Sequence, residues 1–170
     1  EIERLRLAAT TALISRRDVI VVASVSCIYG LGSPEEFGKG TVTLKMGEIY
    51  RRNALLRQLI ESQYQRNDME LRPGTFRIRG DTLEIVPAYE SKLGYRITFF
   101  GDEVERIMQF SPLTGEIIEE PNEISIYPAK QFLTDAERLK ESIKNIELEL
   151  EERLAFYKSQ GKFLEAQRIE

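Results

Sequence analysis

Histidine and tryptophan are absent from this chain of 170 residues, and cysteine occurs once, at Cys27. Without histidine there is no Ser-His-Asp or Cys-His nucleophile and no His-ligated metal. A lone cysteine builds neither a disulfide framework nor a Cys-based zinc site within the chain, which fits a reducing, cytoplasmic setting. Long apolar runs are also missing. The longest, Val19 to Leu31, contains two serines and is too short to span a bilayer, and no signal peptide is visible. Positive charge is not in surplus: 24 Lys and Arg against 28 Asp and Glu give a formal net charge of −4. That argues against wholesale coating of nucleic acid but leaves room for a local basic patch. An apolar fraction of 42% is ordinary for a folded protein. The chain starts without Met and stops inside a helical pattern, so it reads as an internal piece of a longer protein.

What is present is alternation. In Thr75-Phe76-Arg77-Ile78-Arg79, Phe76 and Ile78 take one face of a half-buried strand, and Arg77 and Arg79 the other. Gly80-Asp81 is a turn pair, and apolar residues resume at Leu83, Ile85 and Val86. Tyr95 to Phe100, Gly101-Asp102 and Val104 to Phe110 repeat the arrangement. Two such hairpins predict an antiparallel meander. Further strands are expected at 41–46, 116–118 and 124–127. A helix is expected from an Asn53 cap to about residue 65, with Leu55, Leu56, Leu59 and Ile60 on its apolar side. Residues 40–128 are thus an α+β domain, a mixed and mainly antiparallel sheet with a packed helix. Its expected core is Leu55, Leu56, Leu59, Phe76, Ile78, Leu83, Ile85, Ile97 and Phe99.

The flanks differ in kind. A helical stripe to about residue 16 leads into Val19-Ile20-Val21-Val22-Ala23-Ser24, a β-branched run without alternation. It predicts a strand buried on both faces of a parallel sheet, so 1–39 read as an α/β fragment. Ser33-Pro34-Glu35-Glu36 predicts the start of a short helix. In 129–170, Thr134-Asp135-Ala136-Glu137 has a capping-box pattern. Leu139, Ile143, Ile146, Leu150, Leu154 and Tyr157 then form the narrow seam of one long helix, broken at 159–162 before a second begins. The seam reads as the inside of a helix hairpin or a face against a parent protein, with dimerisation the alternative.

Catalytic and metal motifs are wanting. Gly32 to Thr41 resembles a phosphate loop, but five residues separate Gly32 from Gly38-Lys39, and Gly40 follows the lysine where Ser or Thr is required. Asp81, Glu84, Asp102, Glu103 and Glu105 read as turn residues and a solvated strand face rather than a two-metal site. The arginines are the remaining candidates. Arg77 and Arg79 share a strand face, with Arg66 and Arg96 on flanking segments, and arginine forks pair well with carboxylates at interfaces. A merely solubilising, edge-protecting role is the alternative.

Several stretches carry a resemblance to a known family. Arg16-Arg17-Asp18 through Ser26-Cys27-Ile28-Tyr29-Gly30-Leu31-Gly32-Ser33-Pro34-Glu35-Glu36 closely resembles the UvrB family of the bacterial UvrABC excinuclease, which carries out nucleotide excision repair. So do Arg52-Asn53-Ala54-Leu55-Leu56, Phe76-Arg77-Ile78-Arg79-Gly80-Asp81, Phe99-Phe100-Gly101-Asp102-Glu103 and Asn145-Ile146-Glu147. Transcription-repair coupling factors have a similar sheet domain but not the Ser26 to Glu36 loop. The resemblance implies that 1–39 are the tail of a helicase-like ATPase domain, 40–128 an inserted domain that binds UvrA, and 129–170 the following helices. It implies that Arg66, Arg77, Arg79 and Arg96 contact UvrA; the shared polar strand face of Arg77 and Arg79 adds the expectation that these two matter most and that the fold survives their substitution. Ser24 and Ser26 match a region near DNA backbone. ATP and Mg, DNA and UvrC are implied for other parts of a parent protein, leaving this stretch without cofactor, metal or catalytic centre. Two places depart from the family pattern: Thr98, where an acidic residue is expected, and Gly38-Lys39-Gly40, where longer side chains are. The same arginines on phosphates would be the nucleic-acid alternative. Asp68, Glu84 and Glu103 interleave with them, which suits a protein partner better.

Overall fold

The structure, a computed structural model, describes residues 1–28, 32–131 and 136–170, the side chains of 26, 28 and 136–138 aside. It divides into two compact units, Glu1–Leu133 and Thr134–Glu170.

In the first unit a helix, α1 (Ile2–Ser15), is followed by a 3-10 turn (Val25–Ile28) and a short helix, α2 (Pro34–Lys39). Then come β1 (Val42–Lys45), α3 (Arg52–Glu61), β2 (Gln65–Arg66), β3 (Thr75–Arg79), β4 (Thr82–Val86), β5 (Gly94–Phe100), β6 (Glu103–Phe110), β7 (Ile117–Glu119) and β8 (Glu123–Ile126). Six strands form one sheet in the order β2-β3-β4-β5-β6-β7, while β1 and β8 pair antiparallel with each other. The meander expected from alternation is therefore present. Each Gly-Asp pair closes a hairpin, and Gly80 (φ 60) takes the positive dihedral that such a two-residue loop needs at its first position.

The inward face of the sheet carries Phe76, Leu83, Ile85, Ile97, Phe99, Val104 and Ile107. Leu55 and Leu59 of α3, Val42 and Leu44 of β1, Ile124 and Ile126 of β8, and Tyr64 close over them. Seven of the nine expected core residues are fully buried; Ile78 and Leu56 pack at the edge. Tyr64 is buried with its hydroxyl satisfied, donating to the Tyr127 carbonyl at 2.7 Å. Skipping of Glu105 between the pairs Thr98↔Arg106 and Phe99↔Val104 makes a β-bulge on β6. The bulge lets the inward pattern continue on both strands.

One close approach fixes the far end of the sheet. Gly94 lies opposite Phe110, and a Cβ there would sit 2.9 Å from the Phe110 ring. Gly94→Val is expected to cost about 1–3 kcal/mol by overpacking, read as a lower urea midpoint with unchanged slope. Stability equal to wild type would show that Phe110 moves aside freely.

Three expectations are corrected. The run Val19-Ile20-Val21-Val22 forms no strand: it is irregular and open, with Ile20 91% and Val22 94% exposed. A doubly buried strand needs a hydrogen-bonded neighbour on each side, and no strand among the described residues lies beside it. Helix α3 starts at Arg52 with Arg51 in the cap position, so Asn53 lies inside the first turn, and the helix ends at Glu61 rather than near residue 65. Residues 65–66, read as a polar turn, instead pair parallel with β3 as the edge strand β2. In α2, Pro34 is at N1 after Ser33 with two glutamates in the first turn, but Ser33 makes no side-chain capping bond.

The second unit is a helix hairpin, α4 (Ala136–Ser159) and α5 (Phe163–Ile169). Gly161 (φ 70) ends α4: its amide donates to the Lys158 carbonyl and that of Lys162 to the Tyr157 carbonyl. These two bonds satisfy the last carbonyls in a Schellman arrangement. Leu150, Leu154 and Tyr157 are half-buried, whereas Leu139, Ile143 and Ile146 remain exposed. The proposed cap residues Thr134 and Asp135 lie outside the described residues.

Candidate protein-docking face

The outward face of the sheet is built from registered neighbours. Arg77 on β3 lies opposite Glu84 on β4, and Glu84 lies opposite Arg96 on β5. Strand pleating sends all three side chains to the same side. Arg77 Nε donates to Glu84 Oε2 at 2.5 Å, and Arg96 Nε donates to Glu84 Oε1 at 2.7 Å. Glu84 is only 6% exposed, so a buried carboxylate is neutralised by one arginine on each flanking strand. Beyond it the Arg96 guanidinium lies 4.9 Å from the Phe110 ring centroid, a cation–π contact. The next row is Arg79, Thr82, Thr98 and Arg106. At its near end Arg79 Nη2 donates to the Asp68 carbonyl at 3.5 Å. At its far end Arg106 pairs with Glu120. Arg66, on β2, pairs with the Asp68 carboxylate at 3.0 Å.

The four arginines singled out from the sequence thus stand on β2, β3 and β5, around the Glu84 strand. Their roles differ from those expected. Arg96 is not a peripheral residue but is clamped between Glu84 and Phe110. Arg77 is tied to a buried acid, so its exchange for Glu would set one carboxylate against another, and the fold is not indifferent to it. Ser24 lies in the exposed stretch before the 3-10 turn, outside the sheet; the Ser26 side chain lies outside the described residues. From the sequence Glu84 is only one of the acids interleaved with the arginines. Phe100 was also missed. It follows Arg96 and Thr98 at alternate positions on β5 and is 78% exposed. Strand alternation already places it there.

Burial pushes the Glu84 pKa up, but the hydrogen bonds from Arg77 and Arg96, with their charges, outweigh that and leave it below the usual carboxylate range. The unfolded chain therefore takes up this proton near pH 4.5, before the native state does. The stability that the pair of arginines confers is complete above that pH and is lost as pH falls through the lower native pKa. Urea unfolding at a series of pH values below 4.5 is expected to show a shallower acid loss for Glu84→Gln than for wild type. Equal slopes would mean that Glu84 titrates as in the unfolded chain. Asp68 is shifted the same way, first by its hydrogen bond from Arg66.

The Asp81 and Asp102 carboxylates both meet Arg52 at the start of α3: Asp81 pairs with its guanidinium at 2.7 Å, and Asp102 Oδ1 accepts from its amide at 3.5 Å. Among the described residues no group of three or more His, Cys, Asp or Glu is placed to hold a metal ion. Residues 34–39 of the imperfect phosphate loop are helix α2, with Phe37 buried against Tyr127. No helix among the described residues is long and apolar enough to cross a membrane.

The sequence profile described as the UvrB interaction domain matches residues 42–132, the whole of this sheet. The chain belongs to the UvrB family. A second profile, the UvrB third helical domain, matches 137–170, the helix hairpin. The chain is 56% identical over 170 residues to UvrABC system protein B of Geobacillus kaustophilus, covering 100% of this chain and 26% of that protein. It is 55% identical to that of Dehalococcoides mccartyi over 169 residues, 99% of this chain and 25% of the relative. To that of Bacillus caldotenax it is 55% identical over 170 residues, 100% of this chain and 26% of the relative. It thus spans about a quarter of the length of these UvrB relatives.

Proposed function

We propose that residues 40–128 are the module by which a UvrB protein docks on UvrA in UvrABC excision repair, so that UvrB is loaded at damaged DNA. The observation that carries this is the Arg77–Glu84–Arg96 row, flanked by Arg79, Arg66 and the exposed Phe100. Arginine with an exposed aromatic ring is the composition of an interface hot spot. A phosphate-tracking surface needs cations with few acids among them. Here Glu84 and Asp68 each bond to an arginine of the face, which suits a protein surface of mixed, net acidic character. In this reading ATP and Mg2+, DNA and UvrC engage other parts of the parent protein, and this chain alone turns over no nucleotide.

The test is equilibrium binding of the purified chain to UvrA without DNA or nucleotide. A stable complex is expected. Binding to DNA but not to UvrA would replace this reading with the nucleic-acid one.

A further inference from the structure

We propose that Glu84 is a positioning residue of the docking face, holding Arg77 and Arg96 by their Nε atoms so that their Nη groups are presented to carboxylates of the partner. This rests on the docking reading above. An arginine has donors on two edges, and a fork at its terminal end matches a carboxylate. Glu84 uses one oxygen for each Nε, at 2.5 and 2.7 Å. Among the described residues neither guanidinium donates a hydrogen bond to any other group. Both forks are therefore restrained, yet their terminal donors remain unspent.

Restraint of this kind matters because a free arginine loses considerable rotamer freedom when it is immobilised at an interface. Here that ordering is done in the folded protein. Glu84 is buried and mounted on β4, between the two strands that carry the arginines. Phe110 supports Arg96 from the other side. Among the described residues Arg79 has no such holder, since the hydrogen bond it makes there is to a backbone carbonyl at 3.5 Å. Of the three arginines on β3 and β5, two are therefore pre-set and one is adaptable.

The alternative role for Glu84 is simple neutralisation, and the two roles differ in sign. Glu84→Gln keeps the shape and removes one negative charge. If Glu84 only neutralises, the variant is more positive and binds an acidic partner more tightly. If Glu84 positions, binding weakens despite the added positive charge.

The experiment is titration of UvrA with wild type, Glu84→Gln, Arg77→Lys and Arg79→Glu chains, each checked for folding by circular dichroism. For the folded Glu84→Gln chain a rise in Kd of about tenfold or more is expected. Arg77→Lys conserves charge, but one ammonium group cannot both bond Glu84 and present a planar fork. It too is expected to bind about tenfold more weakly, and it decides the matter if Glu84→Gln does not fold. A merely structural role would lower the melting temperature and leave the Kd of folded molecules unchanged. Unchanged or tighter binding by folded Glu84→Gln, or wild-type binding by Arg77→Lys, overturns the positioning role alone. Normal binding by folded Arg79→Glu, which leaves the Glu84 bonds untouched, takes the arginine face out of the interface and overturns this inference, whereas failure of the wild-type chain to bind UvrA overturns the docking reading itself.

Discussion

The Arg79→Glu chain is expected to bind UvrA about 2–5 kcal/mol more weakly than wild type, roughly a 30-fold to several-thousand-fold loss of affinity. Arg79 is exposed at the end of β3, and its guanidinium is in no ion pair among the described residues. A glutamate there would place like charges across the interface, and little inside the protein would change. That separates it from Arg77→Glu, which opposes the buried Glu84 carboxylate and so mixes a folding defect into any binding measurement. Arg79→Ala should cost less, since it removes an attraction without adding a repulsion. Arg66→Ala should cost less still, because Arg66 is already occupied by Asp68 in solvent. Surface plasmon resonance with matched circular dichroism checks this order. Wild-type affinity for a folded Arg79→Glu chain would remove the arginine face from the interface.

The largest effect on stability is expected from Ile97→Ala, with a loss of about 2–5 kcal/mol. Ile97 is 0% exposed at the centre of the sheet, paired laterally with Leu83 on β4 and Ile107 on β6, both buried. Its neighbours on the two flanking strands are held by ladder hydrogen bonds, so the cavity left by truncation has little room to collapse. Urea unfolding should show a lower midpoint at unchanged slope. A loss under about 1 kcal/mol would mean that α3 settles into the gap.

The meander was legible because its information is local: Phe76, Ile78, Leu83 and Ile85 alternate, and Gly80-Asp81 marks the turn between them. The partnership of β1 with β8 was not, since nothing near Val42 says that Ile126 will lie opposite it. The two-residue strand at Gln65–Arg66 is shorter than any periodicity can register. The error at Val19–Val22 has another origin. The residue types were those of a central strand, but strand formation belongs to a pair of neighbours rather than to a segment. At the site, Arg66, Arg77, Arg79 and Arg96 were visible as residues, and family resemblance gave them a role. Their division of labour was hidden, because it depends on the register that sets Glu84 between Arg77 and Arg96. In the sequence Glu84 is only one acid among apolar neighbours.

The pairing of β1 with β8 also orders events in time. The hairpins that carry the arginines join segments adjacent in the chain, and hairpins close in roughly microseconds. The β1–β8 ladder cannot form until Ile124 and Ile126 have been synthesised, at roughly 5–20 residues per second. Until then Leu44 and the inward side of the sheet lack their last cover. During translation the module is therefore expected to be adhesive on its inner side for roughly one to five seconds after its outer, charged side has taken shape, until completion of β8 ends that exposure.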